Sequence, residues 1–288
     1  SCRAMRLAPL LKPALIAALA LALYVPVSMI QGLVLERQAR AQQAVASIAS
    51  GWGGRQTLAG PYLVVPYERT QVSVVQETVD GKPRERRTER TESLVARVPA
   101  AEVEWRIGAE VSEKAYGIYK ARLYSAGAEA RGTLEVPARF GLPADTPATR
   151  IRVGTPRLVL GVSDPHGIRA VEALAIDGEA HAFAPGAGDA ALPGGVHVPL
   201  PGLRASERQS QTVGFAFSLA IAGSEALAVA PLGSDTAVTM RSDWAHPSFT
   251  GRFLPLRHEI GAAGFSAEWR VSRYASPGAA DRQALVVG

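Results

Sequence analysis

The chain has 288 residues, of which 47% are hydrophobic and 20% are charged, and its formal net charge is +5. This composition excludes a disordered chain and is sufficient for one large domain or two small ones. The first 50 residues contain five basic residues and one acidic residue, so residues 51–288 carry only +1. A nearly neutral body lacks the basic surface that phosphate binding requires, and we therefore expect no nucleic-acid partner.

The strongest signal is an apolar stretch from Pro13 to Leu35, PALIAALALALYVPVSMIQGLVL, which has no charged residue. A helix of this length is about 34 Å long and crosses a hydrocarbon layer of about 30 Å. The pattern predicts a transmembrane helix over residues 13–35, kinked at Pro26, with the lipid bilayer as its partner. The alternative is a secretory signal cleaved after the ARA of residues 39–41, but the apolar stretch exceeds the length of a signal core.

The charges on either side of this helix predict its orientation. Three basic residues precede it, whereas only Arg37 and Arg40 follow it, partly offset by Glu36. The positive-inside rule then places residues 1–12 in the cytoplasm and residues 51–288 outside it. Cysteine usage does not test this orientation, because a single cysteine cannot form an internal disulfide.

The pattern of residues in the sequence changes after the membrane segment. Residues 36–50 contain helix formers without a breaker and predict a juxtamembrane helix that the GWGG of residues 51–54 ends. From there to residue 275, short alternating runs separated by Gly, Pro, Asp and Ser predict an all-β domain of ten or more strands. The expected architecture is a large antiparallel β-sandwich, with residues 276–288 as a C-terminal tail.

Two of these runs give specific expectations. The FAFSLAI segment places Phe215, Phe217, Leu219 and Ile221 on one face, which we expect to pack in the core. Asp-Gly at residues 80–81 predicts a hairpin, and the charged RERRTERTE that follows it predicts a solvated, mobile tip.

A search for catalytic or ligand motifs finds no metal-ligand spacing, phosphate loop or nucleophile elbow, and we expect no cofactor and no metal site. His197 is interpreted as a half-exposed strand residue. The nearest approach to a triad is Ser163, Asp164 and His166 in GVSDPHG, but a functional triad assembles from separate elements. We therefore interpret this segment as a turn.

The segment SDWAHPSFTGRFLP, residues 242–255, concentrates aromatic residues and prolines in an Ala- and Gly-rich chain. We interpret it as a structural loop, in which prolines fix backbone angles, a glycine permits a turn, aromatic residues bury apolar area and an aspartate accepts backbone N–H groups. The residues of this candidate structural or docking loop are Asp243, Trp244, His246, Pro247, Ser248, Phe249, Gly251, Phe253 and Pro255, and Leu254 is also expected to be buried.

Two other interpretations of this loop stay open. In the first, Asp243, His246 and Ser248 form a hydrolytic site lined by Trp244 and Phe249, although one histidine without a partner from another element is weak support for acid–base chemistry. In the second, the loop is a docking surface for membrane helices outside this sequence.

Six segments occur in an order that resembles the CreD family of bacterial inner-membrane proteins. They follow an N-terminal membrane helix and extend to about residue 273, and the fifth is the most specific. These segments are GPYLVVPYE (60–68), YGIYKARLYS (116–125), GVSDPHGI (161–168), GVHVPLP (195–201), SDWAHPSFTGRFLP (242–255) and GFSAEW (264–269).

The resemblance implies an inner-membrane anchor, a large periplasmic portion and a link to envelope integrity under a two-component response. It carries no catalytic residues over to this chain. Members of the family continue into further membrane helices, whereas this sequence ends without another apolar run of spanning length, so we expect a part of a longer protein or a truncated gene.

Together these observations predict a non-enzymatic inner-membrane protein that contributes to envelope integrity and the envelope stress response through a periplasmic β-domain, with envelope proteins, lipids or glycans as partners. The alternative is an enzyme or carrier that acts on an envelope lipid or glycan. A sensor that controls other proteins is a third class that the sequence does not separate from these two.

Overall fold

The fold is described from a computed structural model, which covers residues 8–79, 82–116, 119–192, 194–275 and 285–287. The chain divides into two compact units. The first is Ser1–Ile48 with Ala115–Ala121, and the second comprises Ala49–Lys114 and Arg122–Gly288.

The N-terminal unit is dominated by one helix, α1 (Ala8–Trp52). Among the described residues it is the one helix long and apolar enough to cross a membrane, through the segment Leu19–Arg40. Its apolar side chains are exposed to the surroundings, Met29 by 71% and Leu21 by 66%, as expected for a helix whose partner is lipid. The predicted apolar N-terminal helix is confirmed, and it continues without a break through the predicted juxtamembrane segment.

The rest of the described chain is mainly β, which confirms the predicted fold class. The strands are β1 (Gln56–Val79), β2 (Lys82–Pro99), β3 (Glu102–Tyr116), β4 (Tyr119–Val136), β5 (Thr149–Val153), β6 (Arg157–Val162), β7 (Ile168–Val171), β8 (Leu174–Ile176), β9 (Glu179–His181), β10 (Ala184–Pro185), β11 (Gly195–Pro199), β12 (Gln211–Ser224), β13 (Leu227–Ala230), β14 (Asp235–Ser242), β15 (Phe249–Gly251), β16 (Arg257–Gly261), β17 (Gly264–Val271) and β18 (Leu285–Val287). Two short 3₁₀ turns lie at Ala138–Gly141 and Pro165–Gly167.

In the described residues the strands form two sheets of nine strands each. Sheet A has the order β10-β11-β6-β1-β13-β18-β15, and β2 and β5 also pair with β1. Sheet B has the order β16-β17-β14-β3-β4-β12-β8-β9, and β7 also pairs with β12. Most neighbours are antiparallel, but β1 with β13 and β3 with β14 run parallel, so the sheets are mixed rather than purely antiparallel as expected.

Both sheets contribute to one hydrophobic core. Leu58 and Leu63 of β1 belong to the same cluster as Trp105 of β3 and Phe217 of β12. The Trp105 and Phe217 rings meet edge to face with centroids 5.8 Å apart, a favoured aromatic geometry. The two sheets therefore share one hydrophobic core.

The alternation predicted for FAFSLAI is confirmed by the burial of β12. The side chains of Phe215, Phe217, Leu219 and Ile221 are at most 5% exposed. The intervening residues of the strand are more exposed. Period-two burial therefore assigns the core face of this strand, as the sequence pattern requires.

The charged RERRTERTE does not form the loop-like tip that the sequence suggested. Residues 82–99 form strand β2, which pairs with β1 over its whole length, from Val79↔Lys82 to Tyr62↔Pro99. The predicted turn at residues 80–81 lies outside the described residues. We call residues 72–79 and 82–89 the hairpin arm. Residues 85–91 are exposed, so the solvated character of the segment is as expected.

A smaller core cluster lies around Tyr62, Val64 and Val159, and Tyr62 is hydrogen-bonded to a buried carboxylate, that of Asp189. Asp189 accepts two hydrogen bonds of 2.6 Å from the Arg97 guanidinium and one of 2.9 Å from the Tyr62 hydroxyl. These contacts fix the loop between β10 and β11 to strands β1 and β2. A buried carboxylate is retained in a protein only when it is paired and hydrogen-bonded in this way.

Candidate functional site

The candidate loop of residues 242–255 connects the two sheets. It leaves β14 of sheet B, contributes β15 to sheet A through pairing with β18, and returns to sheet B as β16. The chain therefore crosses between layers twice within about fifteen residues. Tight reversals of this kind require turn residues and apolar side chains that reach across the layers. We call residues 242–256 the crossing loop.

The aromatic residues of the crossing loop are half-buried and pack on the core. Phe249 lies in β15, and its ring meets those of Phe265 and Trp269 in sheet B, with centroid distances of 5.6 and 5.7 Å. Phe253 also packs on the core. The expectation for Leu254 is wrong: this side chain is 64% exposed, because the chain there runs between β15 and β16 at the surface.

Trp244 is held by its indole nitrogen and by a cation. The indole N–H donates to the backbone oxygen of His246 at 2.6 Å, and the guanidinium of Arg122 lies 4.5 Å from the ring centroid. Asp243 accepts a hydrogen bond of 2.9 Å from the backbone N–H of Val111 in β3. Asp243 is therefore an acceptor of a backbone N–H, as predicted, but the donor lies on a neighbouring strand and not in the turn itself. These contacts hold the backbone of the crossing loop in place.

The remaining predicted loop residues have local positions. Gly251 has a φ of 101°, which favours glycine. Pro247 and Pro255 are half-buried, whereas His246 and Ser248 are exposed. No hydrogen bond among the described residues joins the side chains of Asp243, His246 and Ser248 into a relay.

A second site, which the sequence did not indicate, lies where the helix meets the β-domain. Helix α1 ends at Trp52 and strand β1 begins at Gln56, so three residues connect them. We call Trp52–Thr57 the helix junction. Its main-chain and side-chain polar groups are bound by residues of sheet B and by the turn that follows β6.

On the side of sheet B, strand β12 and its neighbours hold the junction. Ser224 donates from its hydroxyl to the oxygen of Gly53 at 3.2 Å and from its backbone N–H to the oxygen of Gly54 at 3.1 Å. Arg169 of β7 donates to the oxygen of Trp52 at 3.0 Å. The Trp52 ring also has the Lys114 ammonium 4.0 Å from its centroid, a cation–π geometry.

On the other side, the turn at residues 163–167 holds the junction. Asp164 accepts from the backbone N–H of Gly54 at 3.0 Å, and Gln56, which is fully buried, donates to the backbone oxygen of Asp164 at 3.1 Å. Ser163 accepts from the N–H of Thr57 at 2.9 Å. The segment GVSDPHG is thus a turn, as predicted, and its polar residues serve the junction rather than a triad.

The junction shifts the pKa values of two groups. The backbone N–H of Gly54, followed by contacts with His166, holds the pKa of Asp164 below its ordinary value. Burial raises the pKa of the Tyr124 phenol, whose hydroxyl donates to the backbone oxygen of Ala226 at 2.9 Å. Asp164 is therefore an anion and Tyr124 a neutral donor at neutral pH.

The junction also requires glycine. Gly53 has a φ of 110°, and a Cβ there would lie 2.7 Å from the backbone oxygen of Ala222. The sequence predicts the GWGG motif only as the end of a helix. The motif also allows a close approach to β12, and no local sequence pattern indicates this contact because β12 lies about 170 residues later in the chain.

The outer face of sheet B forms a broad, open groove of about 1250 Å³. Ion pairs line it, among them Glu104 with Arg131 at 2.7 Å. Short side chains such as Ala216 and Thr239 lie between the charges. No group of three or more metal-ligating side chains occurs among the described residues.

Comparison with known proteins places these features in a family. The model of the family described as inner membrane protein CreD matches residues 8–284, which is nearly the whole chain. The chain belongs to the CreD family. The resemblance seen in the sequence is thereby confirmed, and with it a location in the inner membrane, to which helix α1 fits as an anchor.

One relative is the inner membrane protein CreD of Escherichia coli (strain K12), which is 29% identical over 256 residues. The match covers 89% of this chain and 54% of that protein, so this chain spans about half the length of the curated relative.

Solved structures of an M1 zinc metallopeptidase from Deinococcus radiodurans share a distant likeness. A mutant has a TM-score of 0.35 at 14% identity, and the same mutant bound to a Tyr-Ser-Ala substrate has 0.34 at 16%. The enzyme without the mutation has 0.29 at 11%, and all three matches cover 66% of this chain and 42% of the other. Scores this low assign neither a fold nor an activity.

Proposed function

We propose that this chain is a non-enzymatic, membrane-anchored domain that contributes to the integrity of the cell envelope from the periplasmic side. The observation that carries the proposal is helix α1, which is long and apolar enough to cross a membrane and belongs to a chain of the CreD family of inner-membrane proteins. Only three residues separate α1 from β1, and they are bound by Ser224 of sheet B and by Asp164 in the turn after β6.

The periplasmic side follows from charge. Three basic residues lie within residues 1–12 and two after the apolar segment, and the excess favours a cytoplasmic N-terminus. The domain after the helix is then periplasmic, where it can contact envelope proteins, lipids or glycans. A role in the envelope stress response is part of the same proposal.

The histidines support a non-catalytic domain because each of four has a structural contact. His166 binds Asp164 at 3.0 Å within its turn, and the His197 ring bonds the backbone oxygen of Gly186 at 2.7 Å. The backbone oxygen of His246 accepts a hydrogen bond from the Trp244 indole N–H, and the ring of His258 packs against Phe249. Contacts of this kind serve packing and turn geometry, and they support the proposal of a non-enzymatic role.

The experiment is complementation of a bacterial strain that lacks its own family member. We expect Asp164→Ala to impair the envelope barrier, measured as the uptake of a large hydrophobic dye, because Gly54 loses its acceptor. Asp145→Ala is the matched control, since Asp145 also accepts a backbone N–H, from Ile151 at 2.9 Å, away from the junction. His246→Ala should restore the barrier like the unmodified chain, at equal protein level by immunoblot. Loss of the barrier with His246→Ala alone would contradict a non-enzymatic role.

The groove on sheet B favours a second candidate, a carrier of an envelope lipid or glycan. Its volume of about 1250 Å³ is large enough for such a molecule. Ala216→Trp would fill the groove, and Ala262→Trp, in the turn between β16 and β17, is the control. If the carrier function is correct, only Ala216→Trp weakens binding of purified peptidoglycan fragments or of phosphatidylglycerol vesicles.

A further inference from the structure

The groove on the outer face of sheet B has a lining that suits neither a neutral sugar nor an acyl chain. Its two aromatic residues, Phe215 and Trp269, are 4% and 3% exposed because their rings belong to the core. Among the described residues, the lining therefore holds no aromatic face on which a sugar ring can stack. Leu256 is the one large apolar side chain exposed in this lining, which is too little apolar area to bury an acyl chain.

One wall of this groove carries three charged side chains. Glu268 of β17 lies opposite Arg257 of β16 and two residues from Arg270, so all three side chains are on the same face of the sheet. They are exposed, and in the described part of the chain none of them lies within 4.0 Å of an opposite charge. On the facing wall, by contrast, Glu104 is already bound by Arg131 at 2.7 Å. The charges available to a ligand on the first wall are thus two cations on either side of one anion.

A channel beside this wall provides room for an extended ligand. Strand β14 lies between β17 and β3, and its Ala237 is opposite Arg270 on one side and Glu104 on the other. The two walls are therefore two strand spacings apart, about 10 Å. Because Ala237 and Thr239 have short side chains, the space above β14 remains open between the charged walls. We call this space the β14 channel.

We propose that the β14 channel binds the peptide stem of peptidoglycan, an inference that rests on the proposed carrier function and names the part of the ligand that is recognised. Such a stem carries several carboxylates and, on its diamino acid, one ammonium group. Arg257 and Arg270 bind carboxylates, and Glu268 binds the ammonium group between them. Glu268 is separated from Arg257 by about 5 Å across the strands and from Arg270 by about 7 Å along β17, a span that about three to four residues of an extended peptide cover.

The first test compares three probes by calorimetric titration of the full chain in detergent. The probes are a peptidoglycan disaccharide with a stem that ends in meso-diaminopimelate, the same molecule acetylated on its ammonium group, and the disaccharide alone. We expect the first to bind, acetylation to raise its dissociation constant by about fivefold or more, and the disaccharide alone not to bind. Equal binding of the disaccharide alone, or no effect of acetylation, would overturn the inference and leave the carrier function in place. If the first probe does not bind, the inference is wrong, and the phosphatidylglycerol vesicles decide separately whether the carrier function stands.

The second test assigns the ligand charges to side chains. Arg270→Ala should weaken binding of the stem-bearing disaccharide by about fivefold, whereas Arg152→Ala, an exposed strand residue of sheet A, should not change it. Glu268→Gln should weaken binding of the unmodified probe by a similar factor and have no effect on the acetylated probe, because the ammonium group is then absent. Thermal unfolding checks that each variant is folded. Equal effects of the two arginine substitutions, or equal effects of Glu268→Gln on both probes, would show that the β14 channel does not bind the stem.

Discussion

Asp189 shows how one buried carboxylate responds to pH. The Arg97 guanidinium, assisted by the Ala191 N–H and the Tyr62 hydroxyl, lowers its pKa from an ordinary 3.8 to about 2. The unfolded chain therefore binds a proton more readily than the folded chain, and folding gains stability above the unfolded pKa. This contribution is complete above about pH 4 and is lost as the pH falls toward 2.

Asp189→Asn tests this directly. We expect the free energy of unfolding at pH 7 to fall by about 2 kcal/mol, because the variant cannot form the ion pair with Arg97. The difference between the two proteins should shrink as the pH falls from 4 to 2. Urea unfolding at pH 7, 4 and 2.5 measures it, and a difference that is constant over this range would contradict the assigned pKa.

Two glycines of the GWGG motif should respond differently to alanine. Gly53→Ala introduces a Cβ into a left-handed backbone and against the Ala222 oxygen, so we expect a loss of about 1 to 3 kcal/mol. Gly51 lies in α1 with nothing within 4 Å of an added Cβ, and Gly51→Ala should be neutral or stabilising by up to about 1 kcal/mol. Thermal unfolding of both variants decides the matter, and equal destabilisation would contradict the special role of Gly53.

At the scale of elements, the crossing loop depends on its half-buried tryptophan. Trp244→Ala removes the packing on Arg122 and the hydrogen bond to the His246 oxygen, and we expect a loss of about 2 to 3 kcal/mol. His246→Ala keeps its backbone oxygen and removes an exposed ring, so the loss should be below about 0.5 kcal/mol. Chemical denaturation measures both, and a larger effect from His246→Ala would show that its side chain supports the loop.

Elements with period-two burial could be predicted from the sequence, and the arm could not. In β12 the core selects alternate apolar residues, so the pattern records the fold. Strand β2 buries little and is held instead by main-chain bonds and by cross-strand pairs such as Arg69–Glu92 at 2.8 Å and Thr70–Thr91 at 2.9 Å. These pairs join residues more than twenty positions apart, which a local pattern does not reveal.

At the scale of the whole molecule, the orientation in the membrane can be tested with the native cysteine. Cys2 is the sole cysteine and is predicted to be cytoplasmic, and Tyr274, which is 94% exposed, lies in the β-domain. In spheroplasts that express Tyr274→Cys, a membrane-impermeant maleimide should label residue 274 at once and Cys2 only after lysis. Labelling of Cys2 in intact spheroplasts would reverse the proposed orientation.

The membrane helix and the β class could be predicted because each leaves a continuous signal. The pairing of distant strands could not, since β1 with β13 and β3 with β14 join segments separated by most of the domain. The helix junction escaped prediction for the same reason, because Gly53 and Gln56 meet residues that follow much later in the chain. Its chemistry is ordinary, and only the fold brings its parts together.

The parallel pairing of β1 with β13 also determines when the sheet around β1 can be completed during translation. Gln56 lies beside Leu227, which the ribosome adds 171 residues later. At about 5 to 20 residues per second, the first strand waits on the order of 10 to 30 s for this neighbour. During that interval α1 can already be in the bilayer, and the later part of β1 can pair with β2, β5 and β6, which are translated earlier. Only the first residues of β1, Gln56–Ala59, lack a neighbour on their β13 side until β13 has been translated, so the sheet is completed late in synthesis.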